Sequence, residues 1–182
     1  TMARELKEEE RINALDNAYK IISRNLPDYT YKCQNHSSTN GIYKAIGNTE
    51  WTTGFWPGEL WLMYEYSKDE ILASVGNIFV ESFLKRIKEK ISVDHHDMGF
   101  LYTPSCVAPW KLKQNAHARE AAILAANQLI SRFQEKGQFI QAWGILGAKD
   151  NYRYIIDCLL NLPLLYWATE ETGDQKYKEI AL

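Results

Sequence analysis

Pro57-Gly58-Glu59-Leu60-Trp61-Leu62-Met63-Tyr64-Glu65-Tyr66-Ser67-Lys68-Asp69-Glu70 is echoed later in the chain by Pro163-Leu164-Leu165-Tyr166-Trp167-Ala168-Thr169-Glu170-Glu171-Thr172-Gly173-Asp174. Each stretch opens on a proline, sets a tryptophan one helical turn on, and closes on a two-residue turn ending in aspartate. Proline suits the first turn of a helix, where a backbone N–H would have no partner. A short apolar helix, a tight turn and a long amphipathic helix form the unit of stacked helical hairpins, in which each unit buries its apolar face against the next. The long helices are predicted to begin near Asp69, Gln114 and Asp174, and no strand pair competes, so the expected fold is all-α.

Outward from this repeat, Ile12, Leu15, Ala18, Tyr19, Ile22 and Leu26 have helical spacing, which Pro27 is expected to stop. Asp28 to Thr53 has no period and reads as a long loop, a feature that in compact domains usually serves function. Past Asp69, the residues Ile71, Val75, Ile78, Phe79, Phe83 and Ile87 form a stripe, with the basic run Lys85, Arg86, Lys88, Lys90 expected on the solvated opposite face. Asp94 to Pro109 reads as a second loop. Ala121, Ala122, Ala125, Leu129 and Phe133 mark another amphipathic helix halting at Gly137, and Gln138 to Tyr152 is again polar and aromatic. Asn161 is expected to cap a short apolar helix from Leu162 to Glu171. The chain stops at Leu182, inside the third long helix, so truncation at the C-terminus is expected.

The 182 residues are 46% hydrophobic and 24% charged, the composition of a globular domain with a sizeable core. Twenty-one basic residues against twenty-three acidic ones leave a formal charge of -2, which gives no general field for nucleic acid or an anionic membrane. The expected partners therefore include neither. Cys33, Cys106 and Cys158 are odd in number and lack C-x-x-C pairing, as for free thiols in a reducing compartment. With a charged N-terminus and no long apolar run, the expected location is the cytoplasm.

Asp157 lies between Ile155-Ile156 and Cys158-Leu159-Leu160. A carboxylate in that setting is expected to be desolvated and thus to keep a proton as a general acid does; a buried helix-end aspartate is the alternative. Asp94-His95-His96-Asp97-Met98-Gly99-Phe100 gathers two imidazoles and two carboxylates, without the spacing of a zinc motif, so no metal and no cofactor are expected. Its two readings are a second catalytic carboxylate oriented by His96, or a loop hydrogen-bond cluster. Trp51, Trp56, Trp110 and Trp143 lie in or beside loops, where they either stack on sugar rings or plug a helical core; Trp61 and Trp167 are expected in the core.

Taken together, Trp51-Thr52-Thr53-Gly54-Phe55-Trp56-Pro57-Gly58, His95-His96-Asp97-Met98-Gly99-Phe100-Leu101-Tyr102, Ile140-Gln141-Ala142-Trp143-Gly144 and Ile155-Ile156-Asp157-Cys158-Leu159-Leu160-Asn161-Leu162-Pro163-Leu164-Leu165 closely resemble the unsaturated glucuronyl hydrolases, glycoside hydrolase family 88. The resemblance runs in order over nearly the whole chain. It implies an (α/α)6 toroid, of which this chain would be the N-terminal half, with residues 1–182 a single all-helical catalytic-domain fragment. It also implies a substrate class, the unsaturated uronic-acid disaccharides and oligosaccharides left by polysaccharide lyases. Asp157 matches the family's general acid and base, which protonates C4 of the vinyl ether and assists water addition at C5. Asp97 matches the second essential aspartate, with His96 beside it, and Trp51 and Trp143 match residues of the substrate pocket. A related unsaturated rhamnogalacturonyl hydrolase and a non-catalytic sugar-binding or interaction fragment are the alternatives. An open half-toroid is further expected to self-associate through its uncovered edge.

Overall fold

The computed structural model describes residues 5–182; residues 1–4, part of the charged N-terminal stretch, lie outside the described residues. Helix α1 (Glu8–Tyr29) passes through Pro27 rather than stopping at it. The proline falls in the last turn, so the helix loses one hydrogen bond and then ends within two residues.

The stretch expected as one long loop holds an antiparallel hairpin of β1 (Cys33–Thr39) and β2 (Ile42–Ile46). Its two-residue turn, Asn40 and Gly41, has positive φ at both positions, 53° and 75°, the geometry that matches strand twist. Side chains along β1 are almost all polar, so no alternation announced it.

Three helical hairpins follow. The first is α2 (Phe55–Ser67) with α3 (Glu70–Lys88). The second is reached through α4 (Met98–Tyr102) and a wide turn, Thr103–Val107, and pairs α5 (Ala108–Lys113) with α6 (Ala116–Ile130). The third pairs α7 (Pro163–Thr172) with α8 (Lys176–Ala181). Each is turned by the same device. Lys68, Gln114 and Gly173 adopt left-handed conformations, and their N–H groups close on Tyr64, Trp110 and Thr169 carbonyls. A polar side chain then receives the start of the long helix: Asp69 from Ile71 N at 2.9 Å, Asn115 from Ala118 N at 3.1 Å, Asp174 from Lys176 N at 3.0 Å. The long helices thus begin where the repeat placed them.

Helix α3 packs between α2 and α6, and α6 reaches α7. Leu60, Trp61, Leu72, Phe79, Val80 and Phe83 fill the first interface, and Ala118, Ala121, Ala122 and Ala125 give α6 a small-residue face against which α3 and α4 lie. Trp61 and Trp167 are core, as expected, and Trp56 is too, its indole N–H donating to the Tyr29 carbonyl at 2.9 Å.

Four local expectations are corrected. The buried face of α3 holds Val75, Phe79, Phe83 and Ile87 as expected but is wider than that stripe, taking in Leu72, Val80 and Arg86, while Ile71 is exposed. The segment Asp94 to Pro109 is largely helical, holding α4 and the start of α5. Helix α6 ends at Ile130, and Phe133 instead enters a short hairpin, β3 (Phe133–Gln134) with β4 (Phe139–Ile140), around Gly137. Asn161 does not cap α7; it belongs to the tight 3-10 turn Ile156–Asn161 that precedes it.

Candidate active site

Asp97 sits at the N-terminal end of α4, and Asp157 lies on the turn Ile156–Asn161. His96 joins them. Its Nε2 stands 3.0 Å from Asp157 Oδ1 and 3.2 Å from Asp97 Oδ1. Its Nδ1 lies 3.0 Å from the Ala142 carbonyl, and its backbone N–H donates to that same carbonyl at 2.8 Å. A carbonyl only accepts, so Nδ1 carries the hydrogen and Nε2 is the atom turned to the two carboxylates. His95 takes the other side: its Nδ1 is 3.1 Å from Asp97 Oδ2, and its Nε2–H donates to the Ser92 carbonyl at 2.9 Å. The two imidazoles therefore bracket the Asp97 carboxylate.

The turn that carries Asp157 is pinned to the helix that follows Asp97. Asn161 accepts from Phe100 N at 2.8 Å and donates to the Asp157 carbonyl at 3.1 Å. Gly99 makes this approach possible, since a Cβ there would meet the Asn161 backbone.

Two buried arginines hold the surrounding loops. Arg86, expected on a solvated face, is 1% exposed. Its guanidinium donates to the Thr49 and Glu50 carbonyls and to the Asn48 and Thr53 side chains on one side, and to the Ile91 and Ser92 carbonyls on the other. It thereby ties the loop bearing Trp51 to the loop bearing His95, His96 and Asp97. Burial lowers its pKa, the largest effect, but the ring of acceptors satisfies its donors. Arg132 does the same one loop further on. It donates to the Gln141 carbonyl at 2.9 Å and the Gly144 carbonyl at 3.0 Å, and pairs with Asp94.

Between those carbonyls Trp143 is held 40% exposed, its ring centroid 6.1 Å from that of His96, with the Arg153 guanidinium 5.6 Å over its face. Trp51, also half-open, packs with Phe55 and Phe100 in an aromatic cluster, 5.9 Å from Phe100, which connects it to α4. Of the five residues singled out from sequence, Asp97, His96, Asp157 and Trp143 thus come together, while Trp51 contacts Phe55 and Phe100 of α2 and α4. Sequence reasoning missed Phe55, Phe100, Asn161 and both arginines. The first three lay inside quoted motifs, while the arginines gave no local signal.

One expectation fails. The apolar neighbours of Asp157 do not enclose it: Ile156 is 83% exposed, Leu159 and Leu160 are exposed, and the Asp157 side chain is itself 32% exposed. On a 3-10 turn, consecutive side chains fan outward, so only Cys158 and Asn161 point into the protein. The environment of Asp157 is set by its contact with His96 rather than by an apolar pocket. Cys158 lies beneath, its thiol raised by burial foremost and also by the charges of Asp157 and Asp97. A ring nitrogen of His96, an Asp157 oxygen and Cys158 Sγ lie within 4.8 Å of one another, a nitrogen, oxygen and sulfur set of the kind that suits zinc.

No family model matches the chain. An unsaturated chondroitin disaccharide hydrolase of Streptococcus pneumoniae is 49% identical over 176 residues, which are 97% of this chain and 44% of that protein. An unsaturated glucuronyl hydrolase of Bacillus sp. (strain GL1) is 43% identical over 169 residues, 92% of this chain and 45% of the relative. The chain belongs to the unsaturated glucuronyl hydrolase family. The crystal structure of an unsaturated glucuronyl hydrolase from Streptococcus agalactiae superposes with a TM-score of 0.96 at 49% identity, covering 98% of this chain and 45% of that one. The three hairpins are accordingly half of an (α/α)6 toroid, as expected. The chain spans a little under half the length of the unsaturated glucuronyl hydrolases it matches. Among the described residues, no helix is long and apolar enough to cross a membrane.

Proposed function

We propose that this protein is an unsaturated glucuronyl hydrolase, releasing 4,5-unsaturated glucuronate from lyase-generated oligosaccharides, with residues 1–182 forming one catalytic-domain fragment. The observation that carries the proposal is the His96 bridge, which sets Asp97 and Asp157 on one nitrogen. Related proteins support it. Solved structures of the Streptococcus agalactiae enzyme include two Asp→Asn mutants, at positions as far apart in that chain as Asp97 and Asp157 are in this one. One of those mutants is described in complex with dGlcA-GalNAc6S.

Asp157 is the general acid and base, and its proton goes to C4 of the C4=C5 vinyl ether. A carboxylic acid is needed because carbon is a poor proton acceptor. His96, with Nε2 3.0 Å from Asp157 Oδ1, orients the carboxyl group that delivers the proton. Positive charge then develops toward C5 and the ring oxygen, where the Asp97 carboxylate stabilises it. Water adds at C5 and returns a proton to Asp157; the hemiketal opens and the sugar partner leaves. Trp143, beside His96, and Trp51, in the Phe55–Phe100 cluster, supply exposed ring faces for the sugar.

The relatives' substrates favour this reading over pectin-derived ones. A cytoplasmic location belongs to the same proposal and fits three buried, unpaired thiols. So does self-association through the uncovered face of α1 and α2, where Ile12, Ile21 and Leu62 are exposed. The test is turnover of an unsaturated chondroitin disaccharide, followed as loss of the ultraviolet absorbance of the C4=C5 bond, by this chain and by a version extended to the relatives' length. Absence of turnover in the extended version would overturn the proposal.

A further inference from the structure

We propose that His96, Asp157 and Cys158 form a binding site for one zinc-type divalent cation, which takes the place of the proton otherwise shared between imidazole and carboxylate. Among the described residues this is the one group of three such ligands found to converge.

Because His96 Nδ1–H is committed to the Ala142 carbonyl, the neutral ring presents a bare lone pair at Nε2. That lone pair faces Asp157 Oδ1 at 3.0 Å and Asp97 Oδ1 at 3.2 Å. Three acceptors meet without a donor. The contact is attractive only with a positive centre in the middle, and a proton or a metal ion meets that need equally.

Cys158 decides for a metal of intermediate softness. A thiol lends nothing to sharing a proton, but imidazole, carboxylate and thiolate together favour zinc, cobalt or cadmium over magnesium or calcium. Tetrahedral zinc with bonds of about 2.0–2.3 Å needs ligand atoms roughly 3.3–3.8 Å apart, so a set already within 4.8 Å has to close by no more than about 1.5 Å. Asp157 is the ligand able to move, since its side chain is partly exposed, and it also marks the route from solvent. The groups that would orient these ligands are already in place. The Nδ1–H bond to a carbonyl is the usual partner of a metal-bound histidine, and Asn161 fixes the turn bearing the other two ligands. Asp97 or water completes the fourth position. On binding, zinc accepts electron pairs from Nε2, an Asp157 oxygen and Sγ, while the thiol proton and the shared proton leave to solvent.

Cys33 and Cys106 serve as internal controls, each buried with its thiol pushed up to about 12. Co²⁺ titrated into the chain should give a near-ultraviolet thiolate-to-metal band that saturates at one equivalent and is discharged by Zn²⁺. Cys158→Ser should abolish the band, and Cys33→Ser should leave it. Asp157→Asn should weaken Zn²⁺ binding by more than the roughly tenfold lost with a second-shell partner. No saturable band, or one that survives Cys158→Ser, overturns the proposal. Should circular dichroism show Cys158→Ser unfolded, Asp157→Asn decides alone, and unchanged Zn²⁺ affinity is then the overturning result. The readout is metal binding, so the outcome stands apart from whether the protein hydrolyses unsaturated uronides.

Discussion

His96 Nε2 lies 3.0 Å from Asp157 Oδ1, joining residues 61 positions apart in the chain. Because His96 is next to Asp97 in sequence, this one contact brings both carboxylates to a common nitrogen. A change at either aspartate is therefore felt by the other through the imidazole.

Asp157→Asn keeps the shape of the side chain and removes the transferable proton. In the protein extended to the relatives' length, kcat should fall by about 10²-fold or more, with melting temperature and disaccharide binding largely kept. Steady-state kinetics with calorimetric binding checks both. Near-normal turnover would return Asp157 to a structural helix-end carboxylate.

Arg86→Met removes the donors of at least six buried or half-buried acceptors without changing side-chain length much. Unfolding in urea should show a loss of about 3 kcal/mol or more. Lys85→Ala, one residue away on the exposed face, should stay within about 0.5 kcal/mol. Equal effects would mean that Arg86 is no anchor.

Trp143→Ala should raise KM more than it lowers the melting temperature, because the ring is open to solvent and its loop is held by backbone carbonyls on Arg132. A stacking ring contributes on the order of 1 kcal/mol beyond buried area. A collapse in stability with KM unchanged would identify Trp143 as packing.

Glu171 accepts from Arg119 Nε at 2.6 Å and from the Trp110 indole at 2.9 Å, linking α7 to α6 and α5. The Arg119 bond first, and the Trp110 bond with it, hold its carboxyl below the usual range. A lowered folded pKa gives stability that is present above the unfolded value of about 4.3 and lost as pH falls through the folded one. Glu171→Gln should therefore cost about 1 kcal/mol at neutral pH, since the pair is partly screened by solvent. Denaturant melts at neutral and acid pH should show the difference from wild type closing below about pH 4. A constant difference would assign the effect to packing.

The hairpin plan was legible because each turn repeats the same chemistry, a residue able to turn left followed by Asp or Asn, and this is local information. The β1–β2 hairpin was missed for want of alternation, although Asn40-Gly41 is itself a hairpin signal. The burial of Arg86 on α3 was missed because the residue is charged, and nothing within its own helix reveals that six acceptors wait for it, two in the loop just after that helix and four in the distant loop around Thr49. Asp157 was found for a reason that failed. Its apolar neighbours read as a pocket under helical or extended geometry, but on a 3-10 turn they point away, and the residue that matters to it comes from another part of the chain.

The Arg86 guanidinium also sets how the protein breathes. Since one side chain holds the backbone at Thr49 and Glu50 and again at Ile91 and Ser92, neither loop can open without stranding donors that the other loop leaves unsatisfied. The two loops, separated by two helices in sequence, should thus open together in amide exchange, with a common free energy. Replacing that buried cation should let the two loops exchange independently.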